Sequence, residues 1–163
     1  MLHFAPEVML HKLFSAQENI DYWPVDINPD MPGIRKVVDI TNIPFDDNSM
    51  DIILCNHVLE HILDEKRALS ELFRVLSPRG VAFLNVPIMK EKTMENPAYN
   101  TPELRFKHYG QDDHVRAYGR DYPDRLRATG FKVEVIEIRK EVSHDEIVKY
   151  GLLENETIYL CKK

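Results

Sequence analysis

The chain has 163 residues, a length typical of one domain and sufficient to bury a core without metal or disulfide staples. Hydrophobic residues make up 44% and charged residues 29%, the balance of a folded globular protein rather than a disordered one. A net charge of −6 argues against a nucleic-acid or anionic-membrane binder, and no apolar run approaches the ~18 residues of a membrane span. No signal peptide is apparent at the start. Cys55 and Cys161 lie in the apolar runs DIILCN and IYLC and read as buried thiols, so a reducing, cytoplasmic setting is expected.

In chain order, Met1–Phe4 is a short apolar stub. Pro6 suits the first turn of a helix, and Leu10, Leu13 and Phe14 give that helix an apolar stripe. Ile20–Ile27 reads as a strand ending at Asp26. Val37–Ile40 reads as another, followed by turns at Thr41–Pro44 and Asp47–Ser49. Ile52, Ile53, Leu54 and Cys55 form a continuous apolar run, as in a strand covered on both faces. Asp64 is placed to cap a helix whose one face carries Ala68, Leu69, Leu72, Phe73 and Leu76, and Ser77–Gly80 stops it. Val81–Pro87 is a further buried strand. Phe131–Ile138 and Thr157–Cys161 are two more, separated by a short helix opened by the capping box Ser143-x-x-Glu146 and closed at Gly151. Residues 89–129 are less regular and are expected to form an insertion acting as a substrate lid. Arg116, Arg120, Arg125 and Arg127 interleave with Asp112, Asp113, Asp121 and Asp124, the pattern of a solvated mixed-charge face.

Strands alternating with helices predict an α/β fold with a mostly parallel sheet covered on both sides. In such folds ligands sit at the carboxyl ends of the strands. Asp26 stands there, 19 residues beyond Glu7, near the ~20-residue spacing of an acid that grips ribose hydroxyls. Equally, it can cap the turn before Asn28-Pro29. Asp39 and Ile40 stand at the end of the third strand, where a carboxylate can accept from an amino group while the isoleucine covers a ring.

The run Asp39–Asp51, DITNIPFDDNSMD, resembles the D-x-x-x-[LI]-P-F-x-D-x-S-[FM]-D segment of class I S-adenosylmethionine-dependent methyltransferases. IILCNHVLEHI (Ile52–Ile62) resembles that family's fourth strand and following loop. LFRVLSPRG (Leu72–Gly80) resembles its L-x-R-V-L-x-P-G-G segment, with Arg79 in place of a glycine. The resemblance spans about residues 2 to 138 and is most specific over 39–87. It implies a single Rossmann-like methyltransferase domain over 1–163 with strand order 3-2-1-4-5-7-6, strand seven antiparallel. It further implies S-adenosylmethionine as cofactor and S-adenosyl-L-homocysteine as product. Phe4, Ala5, Pro6, Glu7, Asp26 and Ile27 would bind the cofactor, with Asp39 and Ile40 flanking adenine and Asn56 and His57 lining the methionine end. A small-molecule methyl acceptor is the expected partner, with His57 and His114 as candidate catalytic bases and no metal. The run Tyr109–Tyr118 either faces that acceptor or is a surface loop packed by its own tyrosines.

The family's glycine-rich loop after strand one is replaced here by Phe4-Ala5-Pro6-Glu7, and neither Phe4 nor Pro6 allows the close backbone approach that glycine does. The family's usual helix before strand one is also missing, so either the chain is truncated or a second copy in a homodimer completes the region. Three other readings stand beside the enzyme. One is a domain that keeps the fold without binding the cofactor. Another is a dinucleotide oxidoreductase, which wants a G-x-G-x-x-G that is absent. The third is a zinc peptidase, since His57-Val58-Leu59-Glu60-His61 matches H-x-x-E-H and would place both histidines on one helix face.

Overall fold

Leu2, His3 and Phe4 are all buried and form the first strand, β1 (Leu2–Phe4), of the computed structural model, which describes residues 1–163. Helix α1 (Val8–Ser15) follows. Of its expected stripe, Leu10 and Phe14 are half-buried and Leu13 is 54% exposed, while Val8 and Met9 beside them are 68% and 75% exposed. Strands β2 (Trp23–Asp26) and β3 (Lys36–Val37) are shorter than the sequence suggests. Ile20 instead lies in a turn, and β3 is an edge strand with only two ladder residues. The apolar run becomes the central strand β4 (Met50–Asn56), followed by a 3-10 turn at Leu59–His61 and helix α2 (Glu65–Val75). Asp64 caps α2 as expected, accepting from the Arg67 N–H at 3.0 Å. Strand β5 (Leu76–Asn85) starts at once, because Leu76 pairs with Met50 instead of ending the helix. At the bulge between these strands Gly80 is required: a Cβ there would lie 2.9 Å from the Asp51 carbonyl oxygen.

The stretch expected to be irregular holds strand β6 (Ile88–Lys90), helix α3 (Pro102–Tyr109), strand β7 (Tyr118–Gly119) and helix α4 (Tyr122–Thr129). β6 and β7 pair parallel in a small second sheet. Tyr118, Tyr122 and Leu126 are fully buried, so the end of this stretch is core. The chain closes with β8 (Lys132–Glu137), α5 (Ile138–Glu141), α6 (His144–Tyr150) and β9 (Thr157–Lys162). The capping box forms, with Glu146 N–H bonded to Ser143 Oγ and Ser143 N–H bonded to Glu146 Oε2.

The main sheet runs β3-β2-β1-β4-β5-β9-β8. The first four neighbouring pairs are parallel, and β9 is antiparallel to both β5 and β8. Counting only strands of this sheet, that is the expected order 3-2-1-4-5-7-6 with strand seven antiparallel. Reversal of winding beside β1 opens a crevice at the carboxyl ends of β1, β2 and β4.

Arg74 ties together the residues that carry the family resemblance. Its guanidinium donates to the Ile43 and Phe45 carbonyls, both at 2.8 Å, to Asp47 at 2.7 Å and to Glu71 at 2.8 Å. Glu71 in turn accepts the Ile43 N–H at 2.9 Å. One arginine on α2 thus pins the I-P-F-D-D segment that enters β4. Two arginines expected on a solvated face are structural as well. Arg116 is only 3% exposed and bonds Glu95, and Arg125 spans Glu65 and Glu95. Their acidic partners are distant in sequence, so local charge alternation misassigns them. Arg120 and Arg127 do lie at the surface. Both cysteines are buried and free, and burial pushes both thiol pKa values up. No helix is long and apolar enough to cross a membrane.

Candidate functional site

A cavity of about 630 Å³ opens at the carboxyl ends of β1, β2 and β4. Phe4 and Ala5 contribute its base, Asp26 and Ile27 one side, Val38, Asp39 and Ile40 another, and His57, Val58, His61, Ile62 and Asp113 the far wall. The volume suits a drug-sized ligand, and apolar lining with a few convergent polar groups is what such sites offer.

Each acid spends one oxygen on its own loop. Asp26 Oδ1 accepts the Asn28 N–H at 2.7 Å, and Asp39 Oδ1 accepts from the Thr41 N–H at 2.8 Å and hydroxyl at 2.7 Å. Asp26 is therefore a turn cap, as one reading of the sequence had it, and its Oδ2, like that of Asp39, keeps its acceptor capacity. Ile40 is buried, whereas Ile27 is 64% exposed at the rim.

The loop after β1 solves its lack of glycine through Ala5, which adopts φ 45°, the left-handed region that glycine favours. Its N–H still donates to Val25 O at 2.9 Å, continuing the ladder with β2. Pro6 is buried and does not reach the cavity wall. Glu7 and Asn56 do not line it either; they belong to a hydrogen-bonded chain beneath it. Tyr22 Oη meets His3 Nδ1 at 2.8 Å, and His3 Nε2 meets Glu7 Oε2 at 2.7 Å. Asn56 Nδ2 donates to Glu7 Oε1 and Asn85 Nδ2 to Asn56 Oδ1, both at 2.9 Å. Burial works against the charge of Glu7, but the bonds from His3 and Asn56 outweigh it and hold its pKa down at about 2. His3, Tyr22 and Asn85 were not singled out from sequence; polar residues in or beside strands were the available signal.

A second cavity of about 460 Å³ adjoins the first. His57, Glu60 and His61 form one wall, with His114, Tyr109, Gln111, Pro87 and Met89 around it. His57 and His61 border both cavities. His57 has φ 54°, a 60% exposed side chain, and Nδ1 at 3.5 Å from Glu60 Oε1, a contact that raises its pKa above that of an ordinary histidine. His114 is only 3% exposed and packs edge-on to His61 at 4.7 Å. The H-x-x-E-H segment is not an α-helix: His57 follows β4 directly, and only Leu59–His61 are helical, as 3-10. His57 and His61 are thus not presented as one helical ligand pair, which removes the basis of the peptidase reading. The structure thus brings Phe4, Ala5, Asp26, Ile27, Asp39, Ile40 and His57 to one cleft and His114 to its neighbour.

Sheet order and cleft position define the class I methyltransferase fold. The family described as "Methyltransferase domain" matches residues 9–84. A protein of Mycolicibacterium smegmatis named "Probable S-adenosylmethionine-dependent methyltransferase" is 30% identical over 96 residues, covering 58% of this chain and 34% of that protein. An uncharacterized protein of Methanocaldococcus jannaschii is 34% identical over 67 residues, 40% of this chain and 29% of that one. The chain thus spans about a third of the length of the curated relatives it matches. A S-adenosylmethionine-dependent methyltransferase from Archaeoglobus fulgidus superposes with TM-score 0.62 at 17% identity, covering 99% of this chain and 85% of that one. A chain from the Haloferax volcanii complex containing the Trm112 methyltransferase activator gives 0.64 at 16% identity, covering 99% and 80%. At these identities the structural likeness is one of fold.

The chain is therefore similar to the S-adenosylmethionine-dependent methyltransferases in sequence over residues 9–84 and in fold along its length. The residues present fit that family's cofactor. Two carboxylates with spare acceptor oxygens flank an apolar wall of Val38 and Ile40, an acceptor pair and apolar face suited to a ribose diol, an exocyclic amine and a purine ring. Asp26, Asp39 and Asp113 also give the cleft an acidic lining, favourable to a sulfonium cation.

Proposed function

We propose that this chain binds S-adenosylmethionine in the larger cavity and transfers its methyl group to a small-molecule acceptor held in the adjoining one. The observation that carries the reading is the pairing of Asp26 and Asp39, each with one uncommitted oxygen, across the apolar wall of Ile40. Asp26 accepts from the ribose hydroxyls, Asp39 from the adenine amino group, and Ile27 and Ile40 cover the ring. Phe4 and Ala5 close the base of the cleft. The bound cofactor supplies an activated methyl group, so the chain's own task is alignment and exclusion of water. His57, bordering both cavities, orients the acceptor, and the part of segment 89–129 that precedes the buried Tyr118 covers it as a lid. The second cavity, about 460 Å³, matches a small metabolite.

A domain that keeps the fold without binding the cofactor is the second reading. It is favoured by the loop Phe4–Glu7, which lacks glycine and commits its acid to His3 and Asn56. Calorimetric titration with S-adenosylmethionine and S-adenosylhomocysteine separates the two. The proposal expects saturable binding of both, weakened at least ~10-fold by Asp26→Asn, which removes a charged acceptor. Absence of heat with either ligand at millimolar concentration would establish the second reading instead.

A further inference from the structure

The wall between the two cavities holds a cluster that the proposed transfer leaves unused. Glu60, His61 and His114 each turn one potential ligand atom inward, and these atoms lie within 4.8 Å of one another. Glu60 and His114 are 2% and 3% exposed. Glu60 Oε2 and His114 Nδ1 are both buried without a hydrogen-bond partner. Two buried polar atoms without a partner in one cluster are unfavourable as they stand, since buried polar groups are nearly always paired.

We propose that Glu60, His61 and His114 bind one divalent transition-metal ion of the zinc type in the wall of the acceptor cavity. Two imidazoles and one carboxylate are a donor set that favours zinc, cobalt or iron(II) over magnesium or calcium, which take oxygen ligands. Tetrahedral bonds of about 2.1 Å place ligand atoms about 3.4 Å apart, so closure around an ion takes only ~1 Å of side-chain adjustment. Three protein ligands leave a further position facing the cavity, where an acceptor oxygen would coordinate.

The surrounding bonds pre-position these ligands. The Val115 N–H donates to the Glu60 carbonyl at 2.8 Å, tying the segment that carries His114 to the turn that carries Glu60 and His61. Buried Arg116 donates to the carbonyls of Leu59 at 2.7 Å, Ile62 at 2.6 Å and Leu63 at 3.1 Å, fixing the other end of that turn. Asp113 Oδ2 lies 3.2 Å from His61 Nδ1, the carboxylate–histidine pairing that orients a metal ligand and leaves Nε2 for the ion. The ligand triad differs from the one in the H-x-x-E-H reading: His57 is excluded, and His114 arrives from a separate segment.

The test is calorimetry of the full chain, stripped with a chelator, against zinc chloride, together with visible spectroscopy of the chain loaded with cobalt(II). One ion per chain is expected, with affinity reduced at least ~10-fold by His61→Ala and by Glu60→Gln, each confirmed folded by circular dichroism. The unmodified chain should give the strong cobalt absorption of four- or five-coordination, a readout that needs no variant. Substoichiometric zinc, the weak spectrum of hexa-aqua cobalt, or an affinity unchanged in both folded variants would overturn the site. The outcome is separable from the methyltransferase reading: zinc binding without S-adenosylhomocysteine binding fails only that reading, and the reverse fails only the metal site.

Discussion

Glutamates 60, 65 and 71 are all buried, yet they occupy two different kinds of surroundings. Around α2, Glu65 accepts from Tyr118 Oη at 2.7 Å and Arg125 Nε at 2.9 Å, and Glu71 accepts from Arg74 and from the Ile43 N–H. Both acids are saturated and both join sequence-distant segments. Beside the cavities, Glu60 has one oxygen near His57 and the other without a partner. Acids whose oxygens are saturated hold the fold; the acid beside the cavities has an oxygen left over for a further partner.

The sharpest way to break that contrast is to remove a structural partner. Arg74→Ala strands Glu71 and frees the Ile43–Asp47 segment, and should cost about 3 kcal/mol, read as a lower urea midpoint. A loss under about 1 kcal/mol would mean that the clamp is ornamental. Glu7 supplies a subtler case, because it is saturated like the clamps but lies under the cleft. Its folded pKa, about 2, is below the ordinary 4.5, so the charged group contributes fully above pH 4.5 and its contribution is lost as pH falls towards 2. Glu7 is 43% exposed, so the effect is on the order of 1 kcal/mol. Stability curves between pH 5 and 2 should therefore be flatter for Glu7→Gln than for the unmodified chain; parallel curves would show that the His3–Glu7–Asn56 chain contributes nothing. The smallest effect is expected at Glu60. In metal-free protein Glu60→Gln should change stability by less than about 1 kcal/mol or raise it, since only the 3.5 Å contact with the exposed His57 is weakened. A large loss there would place Glu60 with the structural acids.

Much of this architecture was legible in the sequence because its signals are local. The apolar run Ile52–Cys55, the cap at Asp64 and the box Ser143–Glu146 each follow from adjacent residues, and the strand order followed from the resemblance centred on 39–87. Asp26, Asp39 and Ile40 were legible as cleft residues for the same reason: they stand at strand ends. What escaped was long-range pairing. Arg116 and Arg125 look solvated among neighbouring aspartates, but their partners lie on α2, at the 59–63 turn and at Glu95. Glu7 and Asn56 are also joined to each other through side chains 49 residues apart, a pairing that no local signal announces. Within 89–129, Thr101-Pro102 and Gly110 were usable helix boundaries for α3, masked by the density of tyrosine, proline and charge.

The cleft assignment has one direct test, a crystal structure of the chain grown with S-adenosylhomocysteine. The account predicts the nucleoside in the cavity at the ends of β1, β2 and β4, with Asp26 Oδ2 hydrogen-bonded to the ribose hydroxyls and Ile40 against the purine. Density for the ligand at any other surface, or an empty cleft at saturating ligand, would contradict it.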